Sequence, residues 1–148
     1  MKKILVPLDF SSVTEAAVAV ATRMAGAFSA ELILLHVAAP EPEFVGYEAG
    51  PDSVRHAVAQ QLSAEHKQLQ DVKAKLESSF GPVTARIMQG YTVEKILAEA
   101  DRLPADLIVM GSHGHGGLHH LLMGSIAEGV LRKAPCPVLL VPAASHRR

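Results

Sequence analysis

The chain has 148 residues, of which 49% are hydrophobic and 20% charged, with no Trp and a formal net charge of −1. That is enough for one domain spanning 1–148, with a Leu, Val, Ile, Ala and Met core that needs no disulfide or structural metal. The composition excludes a disordered or fibrous chain, and the near-zero charge argues against a general nucleic-acid binder, which needs a basic surface.

In chain order, Lys3 to Leu8 is a compact apolar run that suits a buried parallel strand. The Lys2-Lys3 start is like that of a secretory leader, but Pro7 and Asp9 end the apolar run too early. Ser12-Val13-Thr14-Glu15 spells a capping box, so a helix is expected after Ser12, with Ala16, Val20, Met24 and Ala27 on its apolar face. Glu31 to Val37 is a second apolar strand. Residues 39–52, with three prolines and two glycines, form the longest connection.

Residues 53–79 read as a long polar helix with a narrow stripe of Val54, Val58, Leu62, Leu69, Val72 and Leu76, stopped by Gly81-Pro82. Residues 83–89 alternate apolar and polar, which suits an edge strand with one wet face. Thr92 can cap a helix carrying Val93, Ile96, Leu97 and Ala100, with Pro104 beyond its end. Residues 106–110 are another buried strand. Ser125-Ile126-Ala127-Glu128 is a second capping box, opening a helix to about Lys133. Residues 137–141 are the last strand, between Pro135, Pro137 and Pro142.

The order β-α-β-α-β-α-β-α-β implies an α/β fold. It has a five-stranded parallel sheet with right-handed crossovers and helices on both faces, an open Rossmann-like three-layer α/β/α arrangement. In such sheets the ligand crevice lies beyond the carboxyl ends of the strands, at the topological switch point. There is no internal repeat, and no apolar stretch is long enough to span a membrane. The single cysteine, Cys136, cannot form an internal disulfide, which fits a reducing cytoplasm. The short basic tail His146-Arg147-Arg148 reads as a frayed terminus.

The chemistry concentrates after the fourth strand, in Gly111-Ser112-His113-Gly114-His115-Gly116-Gly117, with Gly124-Ser125 at the mouth of the next helix. Glycine lets a ligand approach the backbone closely. A helix N-terminus offers free N–H groups and partial positive charge, which suits phosphate. The segment matches neither G-x-x-x-x-G-K-[ST] nor G-x-G-x-x-G, so a plain loop before a helix capped by Ser125 is the competing reading. Asp9 and Gly111 both end apolar strands, and face one crevice if those strands are neighbours.

The spacing Gly111-x2-Gly114-x9-Gly124-Ser125 resembles the nucleotide signature of the ATP-binding universal stress proteins. The resemblance extends to Ile4-Leu5-Val6-Pro7-Leu8-Asp9, to the run from Ala105 through Gly114, and to Ala134-Pro135-Cys136-Pro137-Val138-Leu139-Leu140-Val141-Pro142. It implies strand order 3-2-1-4-5. It also implies a site in which Pro7 and Leu8 line the base pocket, Asp9 bonds the ribose, and Val37 meets adenine through its backbone. Met110, Gly111, Ser112, His113 and Gly114 wrap the ribose and phosphates, and Gly124, Ser125 and Ile126 hold the phosphates. It implies ATP or another adenine nucleotide, carried with Mg, and a homodimer pairing Val138–Val141 with its twin; an ordinary edge strand guarded by Pro137 and Pro142 is the alternative.

One departure stands out. Where many relatives carry Arg or Lys between the glycines, this chain has His115, His119 and His120, so the loop has less positive charge at neutral pH. These histidines are either solvated loop residues or, with His113, a pH-tuned phosphate or adventitious metal contact. No cysteine pair or carboxylate among them specifies a metal site. His36 reads as a satisfied core or rim residue. No P-loop lysine or catalytic dyad is present, so the expectation is a nucleotide-binding stress-response regulator with an unidentified protein partner. A slow Mg-dependent ATPase and a nucleotide-free stress protein acting by protein contacts are the alternatives.

Overall fold

The computed structural model describes residues 1–43, 51–115 and 123–143. Five strands, β1 (Lys3–Leu8), β2 (Glu31–Ala38), β3 (Thr84–Gln89), β4 (Leu107–Gly111) and β5 (Val138–Val141), alternate with α1 (Thr14–Phe28), α2 (Asp52–Glu77), α3 (Thr92–Arg102) and α4 (Ser125–Lys133). The strands form one parallel sheet in the order β3-β2-β1-β4-β5. Continuous apolar runs make these strands because both faces of a parallel sheet are covered by helices.

Alternation within each strand divides the core. Ile4, Val6, Leu8, Leu32 and Leu34 pack with Ala17, Val18 and Ala21 of α1 and Leu69 of α2. Leu5, Ile33, Leu35, Ile108 and Met110 pack with Ile96 and Ala100 of α3 and Ala127 and Val130 of α4. The layers are therefore α1 and α2, the sheet, then α3 and α4. Each fully buried Leu or Ile contributes about 1.5–3 kcal/mol over its exposed state. The connection from β3 through α3 to β4 passes to the far side of β1, so β1 and β4 are neighbours whose exits diverge. That divergence is the switch point.

The helix starts differ from the sequence expectations. Ser12 is exposed and does not cap α1, whose N-cap is Val13 with no side-chain cap bond. The Asp9 carboxylate instead ties the turn before α1: its Oδ1 accepts from the Ser11 amide at 3.0 Å and the Thr14 hydroxyl at 3.3 Å. Thr92 and Ser125 are first helical residues, with Tyr91 and Gly124 as extended N-caps. Gly124 is set as the boundary because its amide donates to the Ser112 carbonyl at 2.7 Å.

The buried face of α1 is Thr14, Ala17, Val18, Ala21 and Ala25. Ala16, Val20 and Met24 are half-buried flanks and Ala27 is exposed; small side chains face the sheet, and the larger ones cover its margin. Of the α2 stripe only Leu69 is fully buried.

At the β3 edge, Glu99 of α3 is 1% exposed and joins Arg86 of β3 at 2.6 Å and Arg102 at 2.7 Å. The Arg102 hydrogen bond, with the charges of Arg86 and Arg102, holds the Glu99 carboxyl below the usual carboxylate range against the cost of burial. Among the described residues, no helix is long and apolar enough to cross a membrane.

Candidate functional site

The exits of β1, β2 and β4 open into a cleft of about 410 Å³. All twelve residues singled out in the sequence line it: Pro7, Leu8, Asp9, Val37, Met110, Gly111, Ser112, His113, Gly114, Gly124, Ser125 and Ile126. They arrive from four separate parts of the chain. Asp9 and Gly111 do face one crevice, because β1 and β4 pair directly.

The glycines are where backbones come close. A Cβ on Gly114 would collide with Oδ2 of Asp9. A Cβ on Gly111 would sit 2.9 Å from Cγ1 of Val13 and 3.1 Å from the His113 carbonyl. The loop after β4 therefore lies directly against the turn after β1, and any side chain at 114 would have to displace the Asp9 carboxylate.

Ser112 organises this loop. It is 7% exposed; its amide donates to the Val141 carbonyl at 2.8 Å, and its carbonyl accepts from Gly124. Its hydroxyl lies 2.9 Å from Nδ1 of His113. One buried residue thus joins β4, β5 and the start of α4, and sets the direction in which the α4 N-terminus points. His115 is exposed on the rim; His119, His120, Gly116 and Gly117 lie outside the described residues.

Three helix N-termini border the cleft, at Thr14 of α1, Thr92 of α3 and Ser125 of α4. The first amides of a helix have no intrahelical acceptor and carry partial positive charge, which favours an anion beside them; among the described residues no lysine or arginine lines the cleft. Much of the remaining lining is apolar: Leu8, Val13, Ala17, Val37, Ile96 and Met110. The arrangement suits a ligand with a flat apolar part and an anionic part. Among the described residues, the hydroxyl oxygen of Ser11 is buried without a hydrogen-bond partner, and Ser11 lines this cleft. A buried hydroxyl left unpaired is costly.

Sequence reasoning missed Ser11, Thr92 and Ile96 as wall residues. Ser11 follows Asp9 closely, but its inward turn depends on Phe10, whose φ is +58°. Thr92 had a usable signal: every helix of an open parallel sheet starts at the end where ligands bind. Ile96 comes one turn later on that helix, on the face buried against the sheet. Among the described residues, no three His, Cys, Asp or Glu side chains gather as a metal site.

With this geometry in hand, comparison with known proteins is informative. The model of the universal stress protein family matches residues 1–142. Universal stress protein MJ0531 of Methanocaldococcus jannaschii is 36% identical over 141 residues, covering 95% of this chain and 81% of that protein. The structure of universal stress protein UspA from Lactobacillus plantarum superimposes with a TM-score of 0.81 at 26% identity, covering 95% of this chain and 97% of that one. A universal stress protein solved in complex with cAMP shares the fold, with a TM-score of 0.65 at 24% identity, over 97% of this chain and 98% of that one. From end to end of its sheet, the chain belongs to the universal stress protein family.

Proposed function

We propose that this protein binds an adenine nucleotide, ATP carried with Mg, in the sheet-end cleft and acts as a nucleotide-dependent regulator in the stress response. The observation that carries the reading is the contact between Gly114 and Asp9, which brings a ribose-binding carboxylate beside a glycine loop and the open N-terminus of α4. Adenine lies against the apolar wall, with the Val37 backbone at its edge. Asp9 accepts from the ribose hydroxyls. The amides of Gly114, Ser125 and Ile126 and the Ser125 hydroxyl hold the phosphates. A relative of the same fold holds cAMP, a ligand of the same base and sugar chemistry.

The last strand supports a second part of the proposal. β5 is an edge of the sheet and hydrogen-bonds only to β4 among the described residues, with Val138, Leu139 and Leu140 half-buried. Pairing with β5 of a second copy would cover this apolar edge. The nucleotide then sets the state of a homodimer that a protein partner reads.

The test is to purify the protein, denature it, identify any released nucleotide, and follow hydrolysis in the presence of Mg²⁺. Retained ATP without turnover supports the regulator. Turnover lost in Asp9→Ala or His113→Ala supports a slow ATPase. Absence of both retained nucleotide and measurable ATP affinity would sink the nucleotide reading and leave protein contacts as the function.

A further inference from the structure

His36, near the end of β2, is 6% exposed and has both ring nitrogens engaged. Nδ1 lies 2.8 Å from the Leu8 carbonyl, and Nε2 lies 3.0 Å from Oε2 of Glu65 on α2. The other Glu65 oxygen accepts from Gln61 at 2.8 Å. The Phe10 ring covers the imidazole, with centroids 4.6 Å apart. Leu8 and Asp9 form the lip of the cleft, so His36 reaches that lip from behind.

The hydrogen bonding fixes a proton count. A carbonyl only accepts, so Nδ1 must carry a hydrogen. Nε2 and the carboxylate are both acceptors unless one proton lies between them. Held on nitrogen it makes an imidazolium–carboxylate pair, and held on oxygen a neutral pair; either way one proton is required. Its removal sets a lone pair against a carboxylate in a buried place, which is repulsive. An aromatic face also favours a cation beside it.

What the clasp holds is a turn that needs holding. Phe10 is a bulky residue at φ +58°, a costly conformation that persists only when its surroundings enforce it. That turn aims Asp9 at Gly114 and brings Ser11 into the cleft wall.

Few other charges face the ring. Beyond Phe10 is the exposed Asp9 carboxylate. β1 presents Leu8 and β3 presents Ile87, neither of them titratable. The acid of α1, Glu15, pairs with Lys75 at the surface. On α2, His66 is exposed, and Lys67 and Asp71 bind each other.

We propose that His36 and Glu65 form a proton-dependent positioning clasp that fixes the Leu8-Asp9-Phe10 turn, so that nucleotide binding in the cleft weakens as pH rises and the clasp loses its proton. The nucleotide part rests on the function proposed above; the clasp itself does not. Glu65→Gln is the diagnostic variant. Its amide can donate to a neutral Nε2, which keeps the contact while removing the need for the proton.

Two measurements run from about pH 6 to pH 9, spanning the loss of a proton from histidine. In the nucleotide-free protein, NMR follows the His36 ring and the amides of Asp9, Phe10 and Ser11. The expected result is that these amides move with the ring's titration in the wild type and stop doing so in Glu65→Gln. Amides indifferent to the ring in the wild type would overturn the clasp. Isothermal titration with ATP then compares the two proteins, and their ratio cancels pH effects common to both. The wild type should lose roughly fivefold or more in affinity relative to Glu65→Gln across the range. A ratio that stays flat would overturn the coupling. If neither protein binds ATP at any pH, the nucleotide reading falls, while the ring and amide shifts still decide the clasp.

Discussion

The two walls of the cleft are built on opposite principles. The apolar wall presents side chains whose other sides are packed into the core: Leu8 and Met110 of the strands are each 5% exposed and Ile96 of α3 is 1% exposed. The glycine wall presents backbone, with Gly114 and Ser125 exposed and only Ser112 anchored beneath them. Shape on the first wall is inherited from folding, and cannot change without cost to stability. Recognition on the second comes from oriented amides, which can be disturbed while the fold stays intact. A ligand bound as proposed would therefore touch one surface that stability maintains and one that is kept only by binding.

Mutations separate the walls. The largest effect is expected for Leu8→Ala, which removes a buried side chain common to core and cleft; it should lower unfolding free energy by about 2–5 kcal/mol in urea titrations. Next is Glu99, which anchors α3 and so the part of the wall that Ile96 supplies. Glu99→Gln should cost about 1.5–3 kcal/mol at neutral pH. The folded carboxyl titrates below its ordinary value of 4.5. Its contribution is thus complete above that value and lost as pH falls through the depressed one. Urea midpoints of wild type and variant should converge on acidification, and a gap that persists in acid would contradict the role given to the ion pair.

On the glycine wall, Gly114→Ala places a Cβ against the Asp9 carboxylate. It should weaken ATP binding by about 1–3 kcal/mol with little change in urea midpoint, measured by isothermal titration beside unfolding. A loss confined to stability would erase the distinction between the walls. The smallest effect is expected for Ser125→Ala. Its hydroxyl makes no cap bond in α4, so it should leave stability alone and cost about 0.5–1.5 kcal/mol of ATP binding.

The sheet was the most legible part of the sequence. Runs such as Ile4-Leu5-Val6 and Leu107-Ile108-Val109 are apolar on both faces, a pattern that only a covered parallel strand needs, and the strand order follows from family resemblance. Helix starts were misread by a residue because the expected caps make no side-chain cap bond. A Ser-x-x-Glu pattern at Ser12 is a real local signal, but the Asp9 carboxylate and the Phe10 turn supply the competing geometry. The glycines of the cleft were legible because their spacing survives without tertiary information. Thr92 was legible from the rule that such helices start at the ligand end, but Ser11 and the His36–Glu65 contact were not: each depends on tertiary placement, and single-sequence periodicity carries no trace of that.

The same His36–Glu65 contact also serves as a ruler. It shows that Glu65 stands beside the end of β2, and residues 52–64 of α2 lie before that contact, about 20 Å of helix at 1.5 Å per residue. Over that length Val54, Val58 and Leu62 are only half-buried, whereas Leu69 below the contact is 1% exposed. One continuous helix therefore has two mechanical characters. Deuterium should enter its upper turns by local fraying and its lower turns only when the α1–α2 face of the core opens. The boundary between the two rates marks the height of the cleft floor.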